Sequence, residues 1–187
     1  TFEPNDSTNY LPSTNSKPLQ VVKQTSTITF SSISTVEYGD TTEAFINGTT
    51  SSVPGTLSFF LNDAYGQQVT INTILNAATY TIFCKFDPTD ATNYTTATAT
   101  KQLTTVQKQM TVVYGALSSI TYGTTLIDRL NATFTPVVDG SMNYYVNSVK
   151  VLPTTVLNAK STAYTIVATF TPSNSNYTTA SASSSLI

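Results

Sequence analysis

The sequence predicts an all-β protein built from tandem two-sheet sandwiches. Three observations predict it. Short segments recur at a spacing of 84 residues, apolar side chains alternate with period two, and turn-forming pairs cut the chain into short pieces.

The repeat is read from anchors. Phe2, Phe86 and Phe170 open FEPNDSTNY, FDPTDATNY and FTPSNSNY, each 84 residues from the last. The same offset relates Tyr38-Gly39 to Tyr122-Gly123 and Tyr80-Thr81-Ile82 to Tyr164-Thr165-Ile166. It drifts to 85 for Val53-Pro54-Gly55 against Val138-Asp139-Gly140, and to 82 for Leu75-Asn76-Ala77 against Leu157-Asn158-Ala159. Small insertions in surface loops produce such drift. One unit is expected at 23–106 and a second at 107–187. Residues 1–22 match only 84–106, so they read as the terminal strand of a preceding repeat or as a donated strand.

Within the first unit, Tyr80, Ile82, Cys84 and Phe86 alternate with Thr81, Phe83 and Lys85. In the second, Tyr164, Ile166, Ala168 and Phe170 alternate with Thr165, Val167 and Thr169. One face of each strand is therefore mostly apolar. Thr, Val, Ile, Tyr and Phe dominate, and such residues fit a pleated surface. Turns are expected at Tyr38-Gly39-Asp40, Asn47-Gly48, Pro54-Gly55, Tyr65-Gly66 and Asp87-Pro88. Between them, strands are expected at 26–31, 42–47, 56–62, 67–71, 79–86 and 94–106, the last bent or bulged. No stretch has helical periodicity. Six or seven short strands per unit suit a sandwich with one modest core.

These residues resemble a known family. Tyr38 to Thr41, Val53 to Gly55, Leu75 to Ile82 and Phe86 to Ala97, with their second copies, resemble the tandem bacterial-type immunoglobulin-like repeats of large surface and adhesin proteins. The second copy departs at Asp139, which stands for Pro54, and in a Phe-Pro loop one residue shorter. Neither departure touches an apolar anchor. The resemblance implies tandem immunoglobulin-like β-sandwiches acting as spacers, stalks or adhesive arms.

Composition excludes several classes. The 187 residues hold no His, no Trp and one Cys. Ser-His-Asp and Cys-His catalysis, His-ligated metals, an intrachain disulfide and a Cys-rich zinc site are all excluded. No Gly-rich phosphate loop occurs, and no carboxylate pair is kept between the copies, so no enzyme, catalytic residue or cofactor is expected. A net charge of −2 without a basic run argues against nucleic acid. No apolar run reaches the ~18 residues of a membrane span. Only 10% of residues are charged, against about 25% in an average domain. Ser and Thr, 59 of the 187, fill the gap and suit an extracellular surface.

Few single residues invite a chemical role. Asp87 and Asp90, with Asn93 nearby, carry oxygens that suit calcium, but the matching stretch of the second unit keeps no carboxylate. Asp in such loops more commonly bonds its own backbone. Cys84, whose counterpart is Ala168, reads as a small buried hydrophobe. Asn-x-Ser/Thr sequons occur at Asn5, Asn47, Asn93, Asn131 and Asn176. The last four pair between the copies and are the glycosylation candidates. Lys17 and Lys101 lie in otherwise polar stretches, which does not suit a buried isopeptide crosslink. In Phe59-Phe60 and Tyr144-Tyr145 one ring of each pair must face away from the core.

The expected function is a non-enzymatic structural module of an extracellular surface stalk, adhesin or filament. The alternative is a glycan- or protein-binding adhesive module. Expected partners are neighbouring repeats or other copies of the chain, head to tail, with strand donation as one route. In that route Leu19, Val21 and Val22 pack into a neighbour.

Overall fold

The computed structural model describes residues 1–187 and is almost wholly β. In chain order the elements are β1 (Ile28–Thr29), β2 (Thr35–Glu37), α1 (Glu43–Asn47), β3 (Thr50–Ser51), β4 (Gly55–Leu61), β5 (Gln68–Val69), β6 (Ala78–Pro88) and β7 (Ala97–Val106). They continue with β8 (Thr111–Val113), β9 (Thr133–Thr135), β10 (Gly140–Val146), β11 (Val149–Val151), β12 (Tyr164–Pro172) and β13 (Ala180–Leu186).

Two larger sheets form. The N-terminal sheet has the order β2-β7-β6-β4-β5, and the C-terminal sheet has the order β11-β10-β12-β13. Two-stranded sheets, β1-β3 and β8-β9, complete the layers. The alternation read from the sequence sets the inward faces. Ile82, Cys84 and Phe86 of β6 and Ile166, Ala168 and Phe170 of β12 are buried, while Lys85 and Thr165 are exposed. The N-terminal core joins Phe59, Val69, Ile82, Cys84 and Leu103 to Phe45, with Ile28 and Phe30 packed against them. The C-terminal core joins Val112 and Tyr114 to Tyr144, Ile166, Phe170 and Leu186. Each core lies between a larger sheet and a two-stranded one, the layering of a β-sandwich.

The two larger sheets share a feature of register. Gly55 faces Pro88 across β4-β6, and Gly140 faces Pro172 across β10-β12. Phe59 and Tyr144 turn inward, whereas Phe60 and Tyr145 are half-buried on the other face. β10 and β11 are joined by Asn147-Ser148, both at positive φ (49° and 65°). Their register, Val146 opposite Val149, leaves a two-residue hairpin turn.

Several expectations are corrected. Residues 42–47, read as a strand, contain helix α1, whose Phe45 is fully buried and contacts the rings of Phe30 and Phe59. Five residues are too few for a 3.6-residue period to show. The Asn47-Gly48 pair therefore ends a helix, with the Gly48 N–H donating to the Ala44 carbonyl. The strands expected at 26–31 and 67–71 shrink to two residues each. The last expected strand starts at Ala97, because 90–94 form a turn. β2, not anticipated, runs parallel to β7.

Residues 14–22 pair with no strand of the chain. Phe2 and Ser13 make one antiparallel bridge. Leu19, Val21 and Val22 are exposed, at 91%, 88% and 73%. No helix is long and apolar enough to cross a membrane.

Candidate functional site

The strand directions define two ends for each sheet. β6 runs from Ala78 to Pro88 and β7 returns to Val106, beside Glu37 at the end of β2. Tyr38-Gly39 and Asn76-Ala77 therefore lie at one end of the N-terminal sheet. β12 runs from Tyr164 to Pro172, and residues 173–179 turn into β13. That turn meets the Tyr38 and Asn76 end of the N-terminal sheet, so the two sheets follow each other end to end.

Asn176 makes the join. Its side-chain Oδ1 accepts the Ala77 N–H at 2.7 Å, and its Nδ2 donates to Asn76 Oδ1 at 2.9 Å. The residue is 8% exposed, and these bonds satisfy an amide that burial otherwise penalises. Tyr177 meets Tyr38 edge to face, with ring centroids 5.4 Å apart. Lys108 Nζ lies 3.4 Å from Glu37 Oε1. That half-exposed pair adds little energy.

Both receiving and inserting parts are held by their own bonds. The Tyr80 hydroxyl donates to the Asn76 carbonyl at 3.1 Å, which fixes the receiving shelf. The Lys108 N–H donates to the Asn176 carbonyl at 2.9 Å, and Thr178 N–H donates to the Lys108 carbonyl at 3.0 Å. Gln107 Nε2 donates to the Ser175 carbonyl at 2.6 Å. The inserting turn is thus tied to the segment that leads into β8.

The residues singled out from the sequence are placed as follows. Asp87 pairs with Lys85 at 2.9 Å on an exposed face. Asp90 Oδ1 accepts the Thr92 and Asn93 N–H groups at 3.1 Å, and its Oδ2 accepts Asn93 Nδ2 at 2.8 Å. The Asn93 amide, with these backbone donors, holds the Asp90 carboxyl below the usual carboxylate range. The two carboxylates so occupied belong to no cluster of three or more potential metal ligands. Asp6 repeats the Asp90 turn bond for bond with Thr8 and Asn9.

Asn47, Asn93 and Asn131 are exposed. Asn176 is buried, and the Nδ2 that a glycan needs is bonded to Asn76. Lys101 donates to the Ser31 carbonyl and has no Asn partner. Ser184, which lies opposite Ile166 as Lys101 lies opposite Ile82, donates to the Gly115 carbonyl at 2.7 Å. Cys84 is wholly buried, and desolvation pushes its thiol up to about 11.

The sequence reading missed the pairing of Asn76 with Asn176 and of Tyr38 with Tyr177. The residues concerned lie in short segments already singled out from the sequence. Asn-Tyr, Tyr-Gly and Leu-Asn-Ala keep polar or aromatic residues outside the apolar faces.

Neither a protein-family model nor a curated protein matches the chain. Among solved structures it is similar to the fibronectin(III)-like modules of Clostridium thermocellum CbhA. The identity is 11%, the match covers 86% of this chain and 93% of that chain, and the TM-score is 0.29.

Proposed function

We propose that the chain is a non-enzymatic structural segment of an extracellular stalk, adhesin or filament, made of tandem immunoglobulin-like sandwiches at 23–106 and 107–187. The observation that carries this reading is the buried Asn176 seated on Asn76 and Ala77. A bonded junction between successive sandwiches gives a spacer stiffness that a bare linker lacks. Matched registers in β4-β6 and β10-β12 support duplication of one unit. The hydroxyl-rich, weakly charged surface supports an external location. Function in this reading is mechanical: each core resists unfolding separately, and repetition sets reach.

Electron microscopy of the natively isolated protein, with antibody labelling of intact cells, tests it. Label on the cell exterior, on rods or fibres, is expected. Label confined to the cell interior overturns the reading.

A further inference from the structure

The junction around Asn176 joins one end of each sheet, and the two opposite ends carry the same two kinds of surface. The outer end of the C-terminal sheet repeats the receiving shelf. Asn158-Ala159 stands where Asn76-Ala77 stands in the other unit, and the Tyr164 hydroxyl holds the Asn158 carbonyl at 2.8 Å, as Tyr80 holds Asn76. Tyr122-Gly123 stands where Tyr38-Gly39 stands, and both glycines have positive φ, 94° and 100°. A groove of about 270 Å³ opens between these segments, lined by Tyr122, Asn158, Lys160, Tyr164 and Ile187. Tyr122 and Ile187 are exposed at 73% and 76%.

The outer end of the N-terminal sheet repeats the inserting turn. Gln24 N–H donates to the Asn93 carbonyl at 2.8 Å, and Thr95 N–H donates to the Gln24 carbonyl at 3.0 Å. Lys23 Nζ donates to the Ala91 carbonyl at 2.6 Å. These are the bonds made by Lys108, Thr178 and Gln107 at the occupied junction. Each sheet thus carries a shelf at one end and a turn at the other.

The residue exchanges between copies match each other. The occupied junction has Glu37 on the shelf and Lys108 in the leading segment. The outer ends have Thr121 and Gln24 at those positions, both neutral and able to hydrogen-bond. The occupied shelf has Ala78 and its turn has Asn174. The outer shelf has Lys160, whose ammonium lies over the Tyr164 ring at 3.8 Å, and the outer turn has Asp90. The exchange puts a cation at one outer end and a carboxylate at the other.

We propose that the Tyr122–Asn158 end of one molecule binds the Asn93–Tyr94 end of a second copy of this chain, head to tail. The inference rests on the tandem-repeat reading above. Docking exchanges partners: Asn93 Nδ2 leaves Asp90 for the Asn158 amide, and the freed carboxylate oxygen meets Lys160. Such a contact is heterologous and does not close on itself, so it grows into a filament. Within a chain the same contact is helped by an effective concentration in the millimolar range, so association between chains is sought at up to ~1 mM.

The test uses the unglycosylated 187-residue chain in a dilution series read by sedimentation and by backbone and side-chain amide NMR. Concentration-dependent association is expected, with shifts at the Ala159 amide and the Asn93 side chain. Asn93→Ala and Asn158→Ala should each weaken it at least tenfold. A mixture of the two should stop at dimers, because each variant keeps the end the other has lost. A triple change of Leu19, Val21 and Val22 to Thr should leave association intact. A monomer up to ~1 mM, or association lost in the triple variant and kept in the Asn variants, overturns the proposal. A monomer that remains an elongated rod in solution scattering sinks only the docking. A compact monomer sinks the tandem reading as well.

Discussion

Asn176 Nδ2 lies 2.9 Å from Asn76 Oδ1, a bond across 100 residues of sequence that joins the two sheets end to end. The same side chain accepts the Ala77 N–H. Its removal leaves two polar partners without a bond in a partly buried site, at a cost of about 1–3 kcal/mol. The cost falls on the junction, since neither core contains the residue. In Asn176→Ala, each half is expected to stay folded. ¹⁵N relaxation should show one tumbling body in the native chain and two loosely coupled bodies in the variant. Unchanged joint tumbling contradicts the assigned role.

Close backbone approach explains two glycines. A Cβ on Gly140 would lie 2.5 Å from Phe170 Cζ and from the Thr171 carbonyl, and one on Gly55 would meet the Phe86 ring at 2.5 Å. Both phenylalanines are fully buried, and Phe170 is stacked on Phe134 at 3.8 Å, so they cannot yield freely. Gly140→Ala and Gly55→Ala should each destabilise by roughly 1–3 kcal/mol. Gly115→Ala, with nothing within 4 Å of the added carbon, should be near neutral. Urea midpoints of the three variants check the contrast.

Cys84 is expected to be inert in the folded chain, for its thiol is buried and pushed up to about 11. A thiol reagent at pH 8 should label it only as the N-terminal core opens, so the labelling rate should track unfolding in urea. Fast labelling in native buffer contradicts the burial.

Tyr114 carries a pH dependence. Burial, followed by the neighbouring Tyr144, pushes its hydroxyl up to about 12, and that hydroxyl donates to the Arg129 carbonyl at 2.6 Å. Burial also raises Tyr144, against the lowering effect of the Ala132 N–H. In the unfolded chain tyrosine ionises near 10. The folded state therefore holds the proton more tightly, and its contribution is fully present below about pH 10 and lost as pH rises towards 12. Urea midpoints should fall across that window, and less steeply in Tyr114→Phe. Midpoints that rise there contradict the assignment.

Much of the fold was legible because period-two alternation is a direct imprint of a sheet with one buried face. β4, β6, β7 and β12 are the long, strongly patterned strands, and the sequence places them within a few residues. α1 escaped because a single helical turn has no period to read. β2 escaped because three residues paired in parallel with β7 carry no local turn signal. The junction was only half legible. Asn176 looks like a sequon and Asn76 like a turn residue, and their partnership exists only once two sheets are laid end to end.

Small-angle X-ray scattering of the monomer reads that end-to-end arrangement as a length. The eleven residues of β6 and nine of β12 rise about 3.3 Å per residue, so two sheets in line span over 60 Å with their loops. A radius of gyration above about 20 Å is expected, against about 16 Å for a compact globule of this length. A value near 16 Å, with the profile of a single sphere-like body, contradicts it.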